Sequence, residues 1–381
     1  MSLILPPLSL YIHIPWCIKK CPYCDFNSHK SPDERPEKAY IAALLEDLAC
    51  DLQAIQKRPL HSIFIGGGTP SLFSAEAFDE LLTGIRQQLP WENDIEITLE
   101  ANPGSMEQSR FTAYRQAGIN RLSLGIQSFN AKHLQALGRI HDDQQAHRAI
   151  EAARIAGFDN INLDLMHGLS NQTREEGLAD LATAMGYHPE HLSWYQLTIE
   201  PNTVFYKKRP PLPSDEEAYV LEEAGFDYLK QHPYQRYEIS AFCRQGKIAR
   251  HNVNYWLFGD YLGIGAGAHG KLTDLSRNQI IRTRKQRQPT DYLNRKSAFL
   301  VAKETITTPL LIFEFMLNAT RLEQAVPHTL FTERTGLSLS FLMPLLRLAT
   351  TQGLIALTDT YWQITPFGRR YTDDLQALFL P

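Results

Sequence analysis

From residue 8 to residue 231 the chain repeats one unit six times: an apolar, β-type run followed by an amphipathic helical segment. The runs LSLYIHIPW (8–16), HSIFIGGG (61–68), DIEITLEAN (94–102), NRLSLGIQS (120–128), NINLDLMHG (160–168) and HLSWYQLTI (191–199) read as strands. Between them the spacing predicts helices over Glu37–Lys57, Ser74–Gln88, Met106–Ala117, Asp142–Ala156, Thr173–Met185 and Ser214–Gln231, with Gly118 and Gly157 closing two of them. Such alternation calls for parallel strands joined by right-handed helical crossovers. That leaves an open doubly wound sheet or a barrel, and the polar residues decide between them. A barrel collects its chemistry at the C-terminal ends of several strands. Here cysteines follow the first strand, Gly66–Pro70 ends the second, and Glu100, Gln127 and Asp164 stand late in the next three. The expected fold is α/β, a TIM-like partial (β/α)6 barrel with one shared mouth.

The residues after the first strand, YIHIPWCIKKCPYCDF (11–26), hold Cys17, Cys21 and Cys24 in C-x3-C-x2-C spacing. Thiolates bind iron–sulfur clusters or zinc, and a cluster cage ordinarily takes four. Cys50 and Cys243 lie far away in sequence. A cluster held by three thiolates keeps one iron open for a non-protein ligand. A zinc site would need His13 or His29 as its fourth ligand, and zinc knuckles ordinarily come with a second downstream pair, absent from this sequence. A disulfide with a spare thiol is the remaining alternative.

Composition narrows the class. With 381 residues, 43% hydrophobic, and a formal charge of −4, the chain can bury one large domain and a smaller one. Its mild acidity gives no general pull towards nucleic acid. No apolar run reaches the roughly 20 residues of a spanning helix. The N-terminus lacks a basic region and is broken by Pro6 and Pro7, so it reads as the lead-in to a strand rather than a secretory signal. Five cysteines, three of them clustered, argue against a disulfide framework and for a reducing, cytoplasmic setting. Residues 1–236 are expected to form the barrel and 237–304 a connecting segment. Residues 305–381, short helices followed by two strands, are expected to form a winged-helix-like domain.

Several constellations remain. The glycines of GGGTP let backbone approach a ligand closely, but neither nucleotide-phosphate loop pattern is present. Glu100, Gln127, Arg139 and Asp164 supply charged and polar groups around the expected mouth, although such residues are often only solvated edges or caps. Asp164 stands out because a carboxylate in an apolar strand needs partners or a ligand. His251, Asn252, Tyr255 and Trp256 form HNxxYW: imidazole can ligate heme iron while aromatic rings pack on a porphyrin, yet such a histidine is more often structural. The C-terminal helices show no basic face, so packing is favoured over DNA binding. The basic run Arg277, Arg282, Arg284, Lys285 and Arg287 reads as a solvated face, with contact to propionates or anionic lipid as the alternative. Cys50 is expected in the core of the first helix, and Cys243 reads as a bystander.

The motifs LYIHIPWCIKKCPYCDF, FIGGGTP, LEANPG, LGIQSF, LGRIH and NLDLMHGL together resemble radical S-adenosylmethionine (SAM) proteins of the oxygen-independent coproporphyrinogen III oxidase family. The resemblance implies a 4Fe–4S cluster on Cys17, Cys21 and Cys24, with its open iron chelated by SAM. It implies SAM contacts from Tyr11, Tyr23, Gly67, Gly68, Thr69, Glu100, Gln127, Arg139 and Asp164. The oxidases carry a cysteine two residues beyond the third ligand, where this chain has Phe26, and they have a longer N-terminal extension. Those departures and HNxxYW resemble the family's heme-chaperone branch, which implies heme contacts at His251, Asn252, Tyr255 and Trp256. The expected function is therefore delivery of heme to acceptor proteins, membrane-bound respiratory enzymes among them, by a protein with no transmembrane segment that is cytoplasmic or peripheral to a membrane. The alternative is radical oxidative decarboxylation of coproporphyrinogen III.

Overall fold

The computed structural model describes residues 3–104, 109–294 and 298–381. The six strand–helix units are present in the expected order: β1 (Leu8–Ile14), α1 (Glu37–Asp51), β2 (Leu60–Gly67), α2 (Ala75–Gln88), β3 (Trp91–Ala101), α3 (Phe111–Gln116), β4 (Arg121–Gln127), α4 (Asp143–Ile155), β5 (Ile161–His167), α5 (Arg174–Gly186), β6 (His191–Gln196) and α6 (Asp215–Lys230). Strands β1 to β6 lie side by side, each parallel to the next. The helices begin where the sequence supplies caps. Ser74 Oγ accepts from the Ala77 N–H, and Asp142/Gln145, Thr173/Glu176 and Ser214/Glu217 form reciprocal capping boxes.

Side-chain alternation sorts each strand into two faces. On β1, Leu8, Leu10, Ile12 and Ile14 are fully buried in a core shared with Leu44, Leu81 and Ile150 of the helices. The other face carries Ser9, Tyr11 and His13 into a polar lumen, where Ser9 and Ser62 hydroxyls meet at 2.8 Å. The barrel wall is thus apolar outward and polar inward, the arrangement a site inside it requires.

Three boundaries differ from the sequence reading. Helix α1 stops at Asp51 and passes through a 3-10 turn to left-handed Gln56 and Lys57. Strand β6 ends at Gln196, and Leu197 and Thr198 after it line the mouth. The N-terminal part of the helix expected from Met106 lies outside the described residues.

The segment 237–304 is more than a connector. With the residues bordering it, it supplies β7 (Gln235–Glu238) and β8 (Ala241–Cys243) to one edge of the sheet, then α7 (Arg250–Trp256), then β9 (Asp260–Ile264), β10 (His269–Asp274), β11 (Gln279–Lys285) and β12 (Leu300–Thr305) to the other. Strand β9 pairs parallel with β1, a seventh parallel strand, and the sheet runs β12-β11-β10-β9-β1-β2-β3-β4-β5-β6-β8-β7. Helix α7 seals the N-terminal end of the barrel: His251 lies 4.9 Å from the Phe64 ring and its N–H donates to Glu96 Oε1 at 3.2 Å.

The C-terminal part is winged-helix-like. Helices Thr308–Ala319, His328–Thr335 and Met343–Thr351 pack with a small antiparallel sheet of Val326–Pro327, Tyr361–Ile364 and Ile355–Leu357. Their core of Phe315, Phe331, Leu346 and Trp362 also takes in Leu3, Phe258 and Ile280 from the barrel side. Among the described residues, no helix is long and apolar enough to cross a membrane.

Candidate functional site

The C-terminal ends of β1 to β6 surround a cavity of about 510 Å³. Cys17, Cys21 and Cys24 form its outer wall, all free thiols. The short strands Trp16–Cys17 and His29–Lys30 pair with each other and tie the loop into a closed finger. Each sulfur has a polar neighbour: Thr69 Oγ1 donates to Cys17 at 3.5 Å, Arg139 Nη1 donates to Cys21 at 3.7 Å, and the Ser28 hydroxyl lies 3.9 Å from Cys24. Burial pushes the Cys17 and Cys24 thiols up, so a metal binding there must displace their protons.

Asn27 fixes the end of this loop. Its amide donates to the carbonyls of Ala266 and Arg287, both at 2.9 Å, and its carbonyl accepts from Arg287 Nε at 3.2 Å. The GIGAGAHG segment makes the contact possible, since a Cβ at Gly267 would stand 2.2 Å from the Asn27 amide nitrogen. His13 donates from Nε2 to the Asn27 backbone carbonyl at 3.0 Å and accepts the Tyr11 hydroxyl at Nδ1, 2.9 Å away. Tyr11 therefore stands behind the cavity wall as a support for His13 and does not line the cavity.

The inner wall is built by the glycines and the strand ends. Gly67 has φ +117°, and a Cβ there would lie 2.6 Å from the His13 ring; one at Gly68 would lie 2.6 Å from the Trp16 carbonyl oxygen. Only glycine brings this backbone so close to the cysteine loop. The Gly67 N–H donates to Glu100 Oε2 at 3.1 Å. Burial, then repulsion from the Asp164 carboxylate, raises Glu100 to about 7. Asp164 is itself raised by burial, against donation from Asn162 Nδ2 at 2.8 Å and the Ser123 hydroxyl at 3.0 Å. Arg139 is buried, which works against its charge, but nearby Tyr23 and Cys21 favour it; the guanidinium donates to Asn102 Oδ1 at 2.5 Å and the Gly125 carbonyl at 2.9 Å. Gln127, with φ +70°, accepts the Tyr195 hydroxyl at 2.9 Å.

Cys17, Cys21, Tyr23, Cys24, Gly67, Gly68, Thr69, Glu100, Gln127, Arg139 and Asp164 therefore line one cavity. The HNxxYW residues are not brought to it. His251 is 2% exposed at the barrel floor, stacked on Phe64 and edge-on to Tyr255. Burial first, then the Arg121 charge, lowers its pKa to about 3. Trp256 packs under the Arg321 guanidinium, 4.2 Å from its ring centre. Cys50 is exposed rather than in the core, because it falls on the outer side at the end of α1.

Asn102, Ser123, Ser193 and Tyr195 also line the cavity without having been singled out from sequence. Period-two alternation would have found three of them: Ser123 shares a face with Gln127, and Ser193 and Tyr195 share one on β6. Asn102 had its signal in the turn after strand three, where its amide now donates to Thr69 Oγ1 at 3.0 Å.

A cluster attaches each thiolate to a different iron, so its ligands surround a volume; a zinc ion requires convergence on one point. Among the described residues no three His, Cys, Asp or Glu side chains converge to hold a single ion. His13 is taken up by Tyr11 and Asn27, and His29 Nε2 pairs with Asn27 Oδ1 at 3.2 Å. Three thiols bordering a polar cavity fit a cluster with one open iron.

Comparison with known proteins gives a consistent picture. The family model for the radical SAM superfamily matches residues 11–182, and that for the HemN C-terminal domain matches residues 307–371. Proteins named heme chaperone HemW are 51% identical in Haemophilus influenzae, over 99% of this chain and 98% of theirs. The corresponding figures are 48% in Escherichia coli, over 99% of both chains, and 34% in Bacillus subtilis, over 98% and 99%. Among solved structures, the coproporphyrinogen III oxidase HemN of Escherichia coli superposes with a TM-score of 0.82 at 23% identity, over 98% of this chain and 90% of that one. At that identity the match establishes the fold.

Proposed function

The chain belongs to the HemW family of the radical SAM superfamily, and from that premise we propose that it is a heme chaperone, binding heme, a 4Fe–4S cluster and SAM and passing heme to acceptor proteins. The observation that carries the cofactor half is the meeting of three free thiols, a glycine backbone wall and four polar side chains on one cavity. Full-length identity to proteins named heme chaperones supports the heme half.

In this reading Cys17, Cys21 and Cys24 hold the cluster, and Thr69 and Arg139, already donating to two of the sulfurs, stabilise their negative charge. When bound, a cluster with one open iron supplies an electron and an anchoring point for the amino and carboxylate groups of SAM. The backbone of Gly67 and Gly68 with Thr69 borders the ligand on one side. Glu100, Gln127, Arg139 and Asp164 offer acceptors and donors on the other, and Tyr23 closes the mouth. Phe26, 57% exposed, stands where the resemblance puts a cysteine in the oxidases, leaving an apolar ring beside the cofactor cavity.

The test is reconstitution without oxygen. Iron and sulfide analysis should give one cluster per chain, and Cys21→Ala should lose it. SAM binding should fall on Glu100→Gln with iron content unchanged. Heme titration should show one saturable site. Incubation with coproporphyrinogen III, a reductant and SAM should leave that substrate intact; accumulation of protoporphyrinogen IX would overturn the reading in favour of the oxidase.

A further inference from the structure

One side chain joins the donors that reach the sulfurs of Cys17 and Cys21. Asn102 lines the cofactor cavity and also a small dimple on the outer face of the loop, where Cys21 and Arg139 meet it again. Its Nδ2 donates to Thr69 Oγ1 at 3.0 Å, and Thr69 Oγ1 donates to Cys17 Sγ at 3.5 Å. On the other side its Oδ1 accepts from Arg139 Nη2 at 2.5 Å, and Arg139 Nη1 donates to Cys21 Sγ at 3.7 Å. The groups form one chain, from Cys17 through Thr69, Asn102 and Arg139 to Cys21.

The direction of each bond follows from the groups themselves. A guanidinium has only donors, so the amide must turn its oxygen to Arg139, which leaves its N–H groups facing Thr69. A hydroxyl carries one proton. Because the Thr69 oxygen accepts from the amide, that proton is free for Cys17. A carboxylate in place of the amide would accept from both sides and draw the proton away from the sulfur. Backbone holds the amide where it is: Asn102 directly follows β3, its N–H donates to Ser71 Oγ at 3.4 Å, and Pro103 restricts it to extended conformations. Arg139 is brought to the loop by Gly138, whose φ is +68°; a Cβ there would stand 2.8 Å from Pro22 Cδ.

We propose that Asn102 is a positioning residue that sets the reduction potential of the cluster, by aiming a hydroxyl at Cys17 and a guanidinium at Cys21. The inference rests on the cluster reading of the three thiols and adds control of the potential. Hydrogen bonds to the ligand sulfurs favour the more negative, reduced state, and are one of the levers by which a protein tunes such a group. The couple is a one-electron one: the oxidised cluster gains an electron from an external reductant, and no bond forms or breaks.

The experiment is a redox titration of full-length, reconstituted protein with dithionite before SAM is added, followed by electron paramagnetic resonance. A midpoint potential belongs to the loaded chains, so it is read whatever fraction of a variant loads. Asn102→Leu should cut the reduced-to-oxidised ratio at a fixed potential by about tenfold, a fall of about 59 mV for one electron. Thr69→Val should lower the midpoint of the wild-type background, and Thr69→Ser should keep it. Added to Asn102→Asp, where the hydroxyl no longer serves Cys17, Thr69→Val should shift nothing further; the new charge is common to both members and cancels. A wild-type midpoint for Asn102→Leu, or the same Thr69→Val shift in both backgrounds, overturns the role of Asn102 and leaves the cluster reading standing. Wild-type protein that takes up no iron and sulfide overturns both.

Discussion

Glu100 tests most directly how the barrel lumen is wired. Its carboxyl accepts one N–H, from Gly67 at 3.1 Å, while burial and Asp164 oppose its charge and raise its pKa from 4.5 to about 7. A carboxyl with a higher pKa folded than unfolded binds its proton more tightly in the folded state. Its stabilising contribution is therefore complete below about 4.5 and is lost as the pH rises through about 7. The gap corresponds to at most about 3 kcal/mol, and the position of Glu100 on an open cavity discounts it to about 1–2 kcal/mol. Urea unfolding of cofactor-free protein, at about pH 5 and about pH 8, measures the loss. Glu100→Gln keeps the shape and cannot titrate, so the difference between the two proteins isolates this one group. Buried His13, His141 and His167, lowered to about 4 by burial, act in the opposite sense, adding stability as the pH rises from there towards 6.5. They are common to both proteins and cancel. Wild type should lose about 1–2 kcal/mol more than the variant across that window. Parallel profiles would refute the account of Glu100 as a carboxyl that the lumen holds protonated near neutrality.

Two further outcomes follow from packing. Gly68→Ala would set a Cβ 2.6 Å from the Trp16 carbonyl oxygen, and because backbone cannot swing aside, about 1–3 kcal/mol of stability should be lost, with iron retention after reconstitution falling in parallel. Asp260→Asn should cost about 3–5 kcal/mol, read as a lowered urea midpoint with iron binding retained, since Asp260 is the buried counter-charge of both Arg58 at 2.9 Å and Lys271 at 3.0 Å.

The parts of the fold that could be read from sequence were those whose information is local. Six strands and their helices announced themselves through apolar runs and caps such as Asp142/Gln145, and the mouth through the recurrence of polar residues at strand ends. The seventh parallel strand was not legible. DYLGI carries no sign that it returns to pair with β1, about 250 residues earlier in the chain, and long-range pairing is decided by tertiary packing. The same limit explains Tyr11, which shares a strand with His13 and points to the lumen but stops one layer behind the cavity. It explains His251 too: HNxxYW looks alike whether the helix carrying it faces solvent or plugs a barrel. Glu96, which accepts both the Arg250 and His251 N–H groups, holds it in the second arrangement.

The seventh strand also shapes the cofactor site. It carries GIGAGAHG to the back of the cysteine loop, where Gly265 and Gly267 leave room for His13 and Asn27 and no more. The loop is thus a shared wall, with the cofactor cavity inside it, a cleft lined by His269, Arg284 and Val301 outside it and Asp25 on both. Replacing Asn27 with Ala, which removes the pins to Ala266 and Arg287, should loosen that wall, so that a chelator strips iron from the reconstituted variant faster than from wild type. Equal rates of iron loss would show that the strand behind the loop does not hold it in place.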